Sequence, residues 1–321
     1  MENKILVTGC AGFIGYHLTK IFCKKGYDVF GIDDLNKYYD INLKNDRLFH
    51  LKKNKNFTFK KIDIADPNLI KFFKDNHFTN VIHLAAQVGV RNSKINPFKY
   101  IKSNISGFVN ILECCKVYNI KSIFYASSSS VYGNHNSELF KENDLSNKPI
   151  SLYGATKLSN ELIAYAYKDL YNINSIGLRF FTVYGPWGRP DMAYYSFTKS
   201  ILNDDEIKVF NNGDHKRAFT YIDDVTRSVH LLFEKFKYKN DFYEVLNIGG
   251  SDGLYLNDFI DKLENLLGKR AIKKNISKQP GDVYSTNADC SRLKELVAYK
   301  PKISLDVGLK KFVSWFKEYH K

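Results

Sequence analysis

Three side chains in the middle of the chain have the types and spacing to move a proton. Tyr153 and Lys157 stand four residues apart in Tyr153-Gly154-Ala155-Thr156-Lys157, and Ser128 precedes them within a serine run, Ser127–Ser130. A phenol with an ordinary pKa near 10 is a poor base at neutral pH. On one helical turn, however, the Lys157 ammonium shares a face with the phenol and favours its ionised form. Ser128 is expected to hydrogen-bond the same oxygen and fix its direction. Such a set withdraws a hydroxyl proton while a hydride leaves the carbon that bears it. A tyrosine and a lysine at this spacing also recur by chance in ordinary helices, so the set has meaning only beside a hydride acceptor.

The acceptor's place is encoded near the start of the chain. Glycines at 9, 12 and 15 in Gly9-Cys10-Ala11-Gly12-Phe13-Ile14-Gly15 follow a short apolar run, Lys4–Thr8. They precede a helical period with Ile14, Leu18, Ile21 and Phe22 on one face and a stop at Gly26. A turn of this kind brings backbone amides at a helix start against a pyrophosphate. Asp33-Asp34 ends the second apolar run. A carboxylate there accepts both hydroxyls of an adenosine ribose and repels a 2′-phosphate, which favours NAD over NADP. Asp33 comes first after the strand and is the expected ribose ligand. Asp63-Ile64, past the third run, is placed to meet the adenine.

Positioning these groups takes a series of strand and helix repeats. Besides Lys4–Thr8, the strand candidates are Asp28–Ile32, Phe57–Ile62, Val81–Ala86, Ser122–Ser127 and Ser175–Phe181. Helical segments lie between them near Asn68–Asn76, Pro97–Tyr118 and Leu152–Tyr171. Right-handed crossovers turn such a series into an α/β fold with a doubly wound, Rossmann-like parallel sheet. After Tyr184-Gly185-Pro186-Trp187-Gly188-Arg189-Pro190 the rhythm changes. A helix near Ala193–Leu202, a short strand Ile207–Phe210 and amphipathic helices near Leu256–Leu267 and Leu305–Tyr319 predict a smaller C-terminal substrate-binding lobe. Ala218–Lys235 and Val245–Gly250 are expected to return to the large lobe. The expected division is therefore discontinuous: 1–181 with about 218–250 for the dinucleotide, and 182–321 mainly for the substrate.

Composition narrows the class. The 321 residues are 44% apolar, enough for a large core, yet no apolar run reaches the length of a membrane span. Ile5-Leu6-Val7 begins too soon after Met1 for a secretory leader, so a cytoplasmic protein without membrane association is expected. Five scattered cysteines without a CxxC or a nearby histidine pair predict neither a disulfide frame nor a metal site. The net charge of +14 is spread along the chain and forms no basic stripe, so no nucleic-acid partner is expected. Such a field would still attract a polyanionic substrate.

With these residues in place, the chain resembles the extended short-chain dehydrogenase/reductases, and among them the UDP-glucuronate 4-epimerases. The likeness rests on Gly9–Gly15, Asp33, Ser128, Tyr153 and Lys157. It extends through Leu35–Asp40, Ala126–Gly133, Arg179–Met192 and Gln279–Val283. It implies an NAD that stays bound, oxidation of the sugar C4 hydroxyl to a ketone, and hydride return to the opposite face after the 4-keto sugar swings about its phosphate linkage. Phe13, Ile14, Ala85, Ala86 and Lys157 would join the glycines around NAD. Ser128, Ser129 and Thr182 would donate to the sugar carboxylate, with Arg189 nearby. Arg217 would meet the diphosphate, Asp282 the uridine ribose, and Val209 and Phe210 the uracil; Arg91 could also reach substrate.

Three departures bear on specificity. Thr182 stands where UDP-galactose epimerases carry Asn, and Ser129-Ser130 stands where related 4,6-dehydratases carry Asp-Glu. Related decarboxylases carry a Glu there. Ala218 replaces an aspartate usual after the diphosphate-binding arginine, which changes the support of Arg217. The alternatives to a glucuronate epimerase are a UDP-glucose or UDP-N-acetylhexosamine 4-epimerase and a non-catalytic NAD-binding regulator. The resemblance also implies a homodimer through the helices Pro97–Tyr118 and Leu152–Tyr171.

Overall fold

The computed structural model describes residues 4–120, 122–134, 139–144, 148–250, 253–277 and 287–321. Its strands are β1 Lys4–Thr8, β2 Asp28–Asp33, β3 Phe57–Lys61, β4 Asn80–His83, β5 Ser122–Ser128 and β6 Asn174–Phe180. They continue as β7 Thr182–Tyr184, β8 Glu206–Phe210, β9 Lys216–Tyr221, β10 Tyr243–Ile248, β11 Gly253–Tyr255 and β12 Ile272–Ile276.

Seven strands form one parallel sheet in the order β10-β6-β5-β4-β1-β2-β3. The central strands are buried almost throughout, as expected where helices cover both faces. Alternation along β5 shows the two layers. Phe124 joins the core with Phe22 and Phe233, from the helices Phe13–Lys24 and Ile222–Phe236. Ile123 and Tyr125 join the other core, with Phe73 and Phe108 from Leu69–Asn76 and Gly107–Val117. The winding reverses between β1 and β4, so a crevice opens beyond their carboxyl ends, where such folds bind ligands. The doubly wound Rossmann-like class read from the sequence is the observed one.

The remaining strands form two small sheets, β11-β9-β7 and β12-β8. Helices Ala193–Leu202, Leu256–Leu267 and Leu305–Tyr319 pack on them through residues such as Phe259, Leu263 and Phe312. These side chains continue the Phe22–Phe233 core, so one apolar cluster runs through both lobes.

Three local differences from the sequence reading matter for the site. β4 stops at His83, not Ala86, because the Leu84 amide is shared between the Thr8 carbonyl and the Thr8 hydroxyl, at 3.2 and 3.1 Å, and the Ala85 amide turns to that hydroxyl at 3.0 Å. The long helix expected over Pro97–Tyr118 carries a π-helical turn, Ile101–Ser106, between Pro97–Tyr100 and Gly107–Val117. From that turn Asn104 bonds both backbone groups of Gln87 and the Thr156 hydroxyl. A helix at Ile41–Leu51 has no counterpart in the sequence reading, because its inward face carries Lys44 and Arg47 and breaks the apolar period.

Candidate active site

A cleft lies over the carboxyl ends of the central strands. Gly9 has φ +72°, and a Cβ there would sit 2.7 Å from the Ala85 nitrogen. A Cβ on Gly15 would lie 2.0 Å from the Gly9 carbonyl oxygen. The glycines therefore let the loop fold onto the start of its own helix and against the exit of β4. That helix, Phe13–Lys24, begins at Gly12 with no side-chain cap and no acidic residue in its first turn. Its unpaired N–H groups and positive end face the cleft at Phe13, Ile14 and Gly15. A cradle of backbone donors left unclaimed by side chains fits a pyrophosphate.

Asp33 is 7% exposed, accepts the Leu35 amide at 2.9 Å, and has the Lys44 ammonium 3.7 Å away. Burial raises its pKa, while Lys44 pulls it down. Asp63 also lines the cleft, with one oxygen accepting the Ala65 amide and the other 2.8 Å from Lys102. Ile64 is buried beside it, and Ala85 and Ala86 form part of the cleft wall. That wall rests on a hydrogen-bond chain. The Thr8 hydroxyl already accepts two amides, so its own hydrogen goes to His83 Nδ1, 2.9 Å away. His83 must then be neutral, and burial indeed lowers its pKa to about 3.

The proton-moving set sits at the end of β5. The helix Leu152–Tyr171 is capped by Ser151, whose hydroxyl accepts the Gly154 amide. A Cβ on Gly154 would lie 2.5 Å from the Ser130 carbonyl oxygen, so only glycine lets the helix approach the serine run this closely. The approach brings Tyr153 to the part of the cleft that Ser128 also lines. Burial is the largest influence on the phenol and holds its pKa above the ordinary value; the nearby Ser128 hydroxyl and the Arg189 charge pull it down. The lowering that the sequence assigned to Lys157 thus comes here from Ser128 and Arg189. Lys157 is 1% exposed and donates to the Ala126 carbonyl at 2.8 Å; burial lowers its pKa to about 8. Below, Glu161 accepts Ser127 and both faces of an Arg179 fork, a buried pair that fixes the strand end.

Arg189 completes the cleft. Its Nε and Nη2 bond the two oxygens of Asp191, which also accepts the Tyr38 hydroxyl at 3.2 Å, and its Nη1 takes no part in these bonds. Other expected site residues stand further off. Ser129 opens a single 3₁₀ turn after β5, and Thr182 and Arg217 lie on β7 and β9. Val209 is 1% exposed in the shared core, while the Arg91 guanidinium lies 4.1 Å over the Phe210 ring. Asp282 lies outside the described residues. Lys44, Tyr38 and Arg47 entered the neighbourhood unannounced by the sequence. Tyr38 belongs to a segment that carried the resemblance, but nothing in its spacing indicated a role.

The chain is similar to known proteins along nearly its whole length. The sequence pattern of the NAD dependent epimerase/dehydratase family matches residues 5–249. Protein CapI of Staphylococcus aureus is 47% identical, with 99% of each chain covered. A UDP-glucuronate 4-epimerase of Thermodesulfobacterium geofontis is 42% identical over 98% of this chain and 96% of its own. The crystal structure of a UDP-glucuronic acid 4-epimerase from Bacillus cereus, in complex with UDP-glucuronic acid and NAD, superposes with a TM-score of 0.92. It is 39% identical and covers 98% of this chain and 99% of that one.

Proposed function

Because the chain belongs to the NAD dependent epimerase/dehydratase family, we propose that it inverts C4 of UDP-glucuronate to give UDP-galacturonate, through a transient 4-keto sugar and with NAD kept in the cleft. One observation carries the assignment: the Tyr153 phenol and the Ser128 hydroxyl line one cleft with an uncapped glycine-loop helix and with the Arg189 guanidinium. Bound NAD supplies the acceptor and donor of the hydride. The glycine loop holds its pyrophosphate, and Asp33 with Lys44 meets the adenosine ribose.

Tyr153 takes the C4 hydroxyl proton and returns it when the opposite face is reduced. Ser128 directs that exchange. With a pKa of about 8, the Lys157 amine is mainly protonated at neutral pH, and its ammonium, held on the Ala126 carbonyl, adds positive charge to the cleft that receives the nicotinamide. Ser128, Ser129, Thr182 and the uncommitted Nη1 of Arg189 receive the sugar carboxylate. Holding it matters because a 4-keto uronic acid is a β-keto acid, which loses carbon dioxide when the bond to its carboxylate aligns with the π system of the C4 ketone. Arg217, Asp282, Val209, Phe210 and Arg91 are assigned to the uridine diphosphate. The dinucleotide domain is 1–181 with about 218–250, and the remainder is mainly the UDP-sugar lobe.

The same reading includes a homodimer. Phe98, Leu162 and Tyr165 are 86%, 65% and 58% exposed on the segments around the helices Gly107–Val117 and Leu152–Tyr171, an apolar surface that a second copy would cover. Among the described residues no helix is long and apolar enough to cross a membrane, which accords with work on cytoplasmic nucleotide sugars.

The test is incubation of the purified protein with UDP-glucuronate, without added NAD, while NMR follows the configuration at C4. Accumulation of the galacto epimer is expected. Conversion of UDP-glucose or UDP-N-acetylglucosamine with none of UDP-glucuronate would replace the substrate assignment.

A further inference from the structure

The loop that carries Arg189 is held from the cofactor side of the cleft. Arg47, on the helix Ile41–Leu51, is fully buried, and its four hydrogen bonds all go to neutral oxygens. One guanidinium nitrogen, Nη1, reaches the Ala11 carbonyl of the glycine loop at 2.8 Å and the Tyr39 hydroxyl at 2.7 Å. The other, Nη2, reaches the carbonyls of Trp187 and Gly188, at 2.6 and 3.1 Å. A buried charge without a carboxylate partner is costly unless it fixes something. What it fixes here is strained: Trp187 holds φ +61°, a left-handed conformation that a bulky residue keeps only when its surroundings over-determine it.

A second tie reaches the same loop from the segment after β2. Asp34 and Asn36 stiffen that segment through bonds to the Asn36 and Tyr38 amides. Tyr38 then crosses to Asp191 at 3.2 Å, and its hydroxyl packs so closely on Gly89 that a Cβ there would be 2.2 Å away. Asp191 in turn holds Arg189 by two bonds. The strap that leaves Asp33 therefore fixes both the backbone before Arg189, through Arg47 and Tyr39, and its guanidinium, through Tyr38 and Asp191.

We propose that Tyr38 and Arg47 are positioning residues of a clasp that couples retention of the dinucleotide to the placement of Arg189 for the substrate carboxylate. This rests on the epimerase reading and deepens it. Neither residue needs to touch the reacting atoms. Opening the strap frees both ends at once, so cofactor loss and weakened recognition of the uronate should appear together.

The experiment uses the full-length protein as purified. Tyr38→Phe removes one hydrogen bond to a carboxylate, and the expected result is NAD release and a KM for UDP-glucuronate each raised about 5- to 30-fold, with kcat within about 2-fold. UDP alone, which lacks the carboxylate, should bind as in the unaltered protein by calorimetry. Arg47→Lys keeps the charge but loses the fork, and should release NAD faster still while circular dichroism shows the fold intact. NAD release is read directly, by absorbance of the filtrate after dilution. Unaltered NAD retention and an unaltered KM in Tyr38→Phe would overturn the clasp, as would equal weakening of UDP and UDP-glucuronate. If the unaltered protein turns over no UDP-glucuronate, the epimerase reading fails separately, and the NAD-release comparison still decides the strap.

Discussion

The two ends of the cleft are built by different means. At the dinucleotide end, the glycine loop follows β1, Asp33 ends β2, Asp63 follows β3, and Ala85 and Ala86 follow β4. These groups sit on strand ends of one sheet, and several of them act through the backbone. At the proposed sugar end, the residues assigned to the UDP-sugar, Thr182, Phe210 and Arg217, come from β7, β8 and β9, which belong to two separate small sheets. Arg189 comes from the loop between β7 and the helix Ala193–Leu202, and it stands by resting on Asp191, which rests on Tyr38. Backbone geometry set by the sheet serves a ligand common to a whole family. Side chains propped on other side chains can be exchanged one at a time, which suits the end that chooses the sugar.

The sharpest way to break that division is at Tyr153, where the chemistry lies on the sheet side. Tyr153→Phe should lower kcat by about 10²- to 10⁴-fold, the usual loss of a general acid–base group. Affinity for UDP, a property of the other end, should stay within about 2-fold by calorimetry. A loss of turnover below tenfold would move proton transfer to another group. An equal loss of UDP binding would show that the ends are not separable.

The same division explains what could be read from the amino acids alone. Gly9, Gly12 and Gly15 were legible because close approach of backbone to backbone admits only glycine, and the spacing follows from the turn. Tyr153 and Lys157 were legible because a helical turn fixes their relation. Lys44 and Arg47 were not, since two cations on the buried face of a helix look like a solvated face; their acceptors are carbonyls and a carboxylate far off in sequence. The small sheets were also hidden: β7 and β11 have three residues each, too few for a period, and β12 is largely exposed. The source of the charge acting on Tyr153 was misplaced for a similar reason. Helical spacing placed Lys157 near the phenol, but only the folded chain shows its ammonium turned to Ala126 and Arg189 brought in from the other lobe.

Acid should act first on the sheet end. His17 donates from Nε2 to the Pro186 carbonyl at 2.9 Å, and His83 accepts from Thr8; burial lowers both to about 3 from an ordinary 6.5. For depressed histidines the contribution to stability is complete above pH 6.5 and declines as the pH falls toward 3, because the unfolded chain binds protons that the native state refuses. By pH 5 each should cost about 2 kcal/mol. The thermal midpoint should therefore fall between pH 6.5 and 5, and His83→Gln should flatten that slope. An unchanged slope would mean that the ring is not held neutral, and with it the Thr8 support of Leu84 and Ala85 would have to be redrawn.

The smallest effect is expected where the two ends touch. Arg91 leaves the wall after β4 and lies over Phe210 at the end of β8, a cation–π contact across the lobes worth about 0.5–1 kcal/mol. Arg91→Met keeps the length of the side chain and removes the charge. Affinity for UDP should weaken about 2- to 5-fold, the equilibrium equivalent of that contact, because the strand that ends in Phe210 loses its tie to the large lobe. NAD retention should not change, since the ties described at the dinucleotide end are made by Arg47 and Tyr38. Faster NAD release in this variant would show that the sugar end helps to hold the cofactor, and the contrast between a backbone-built site and a side-chain-built site would then be one of origin and not of independence.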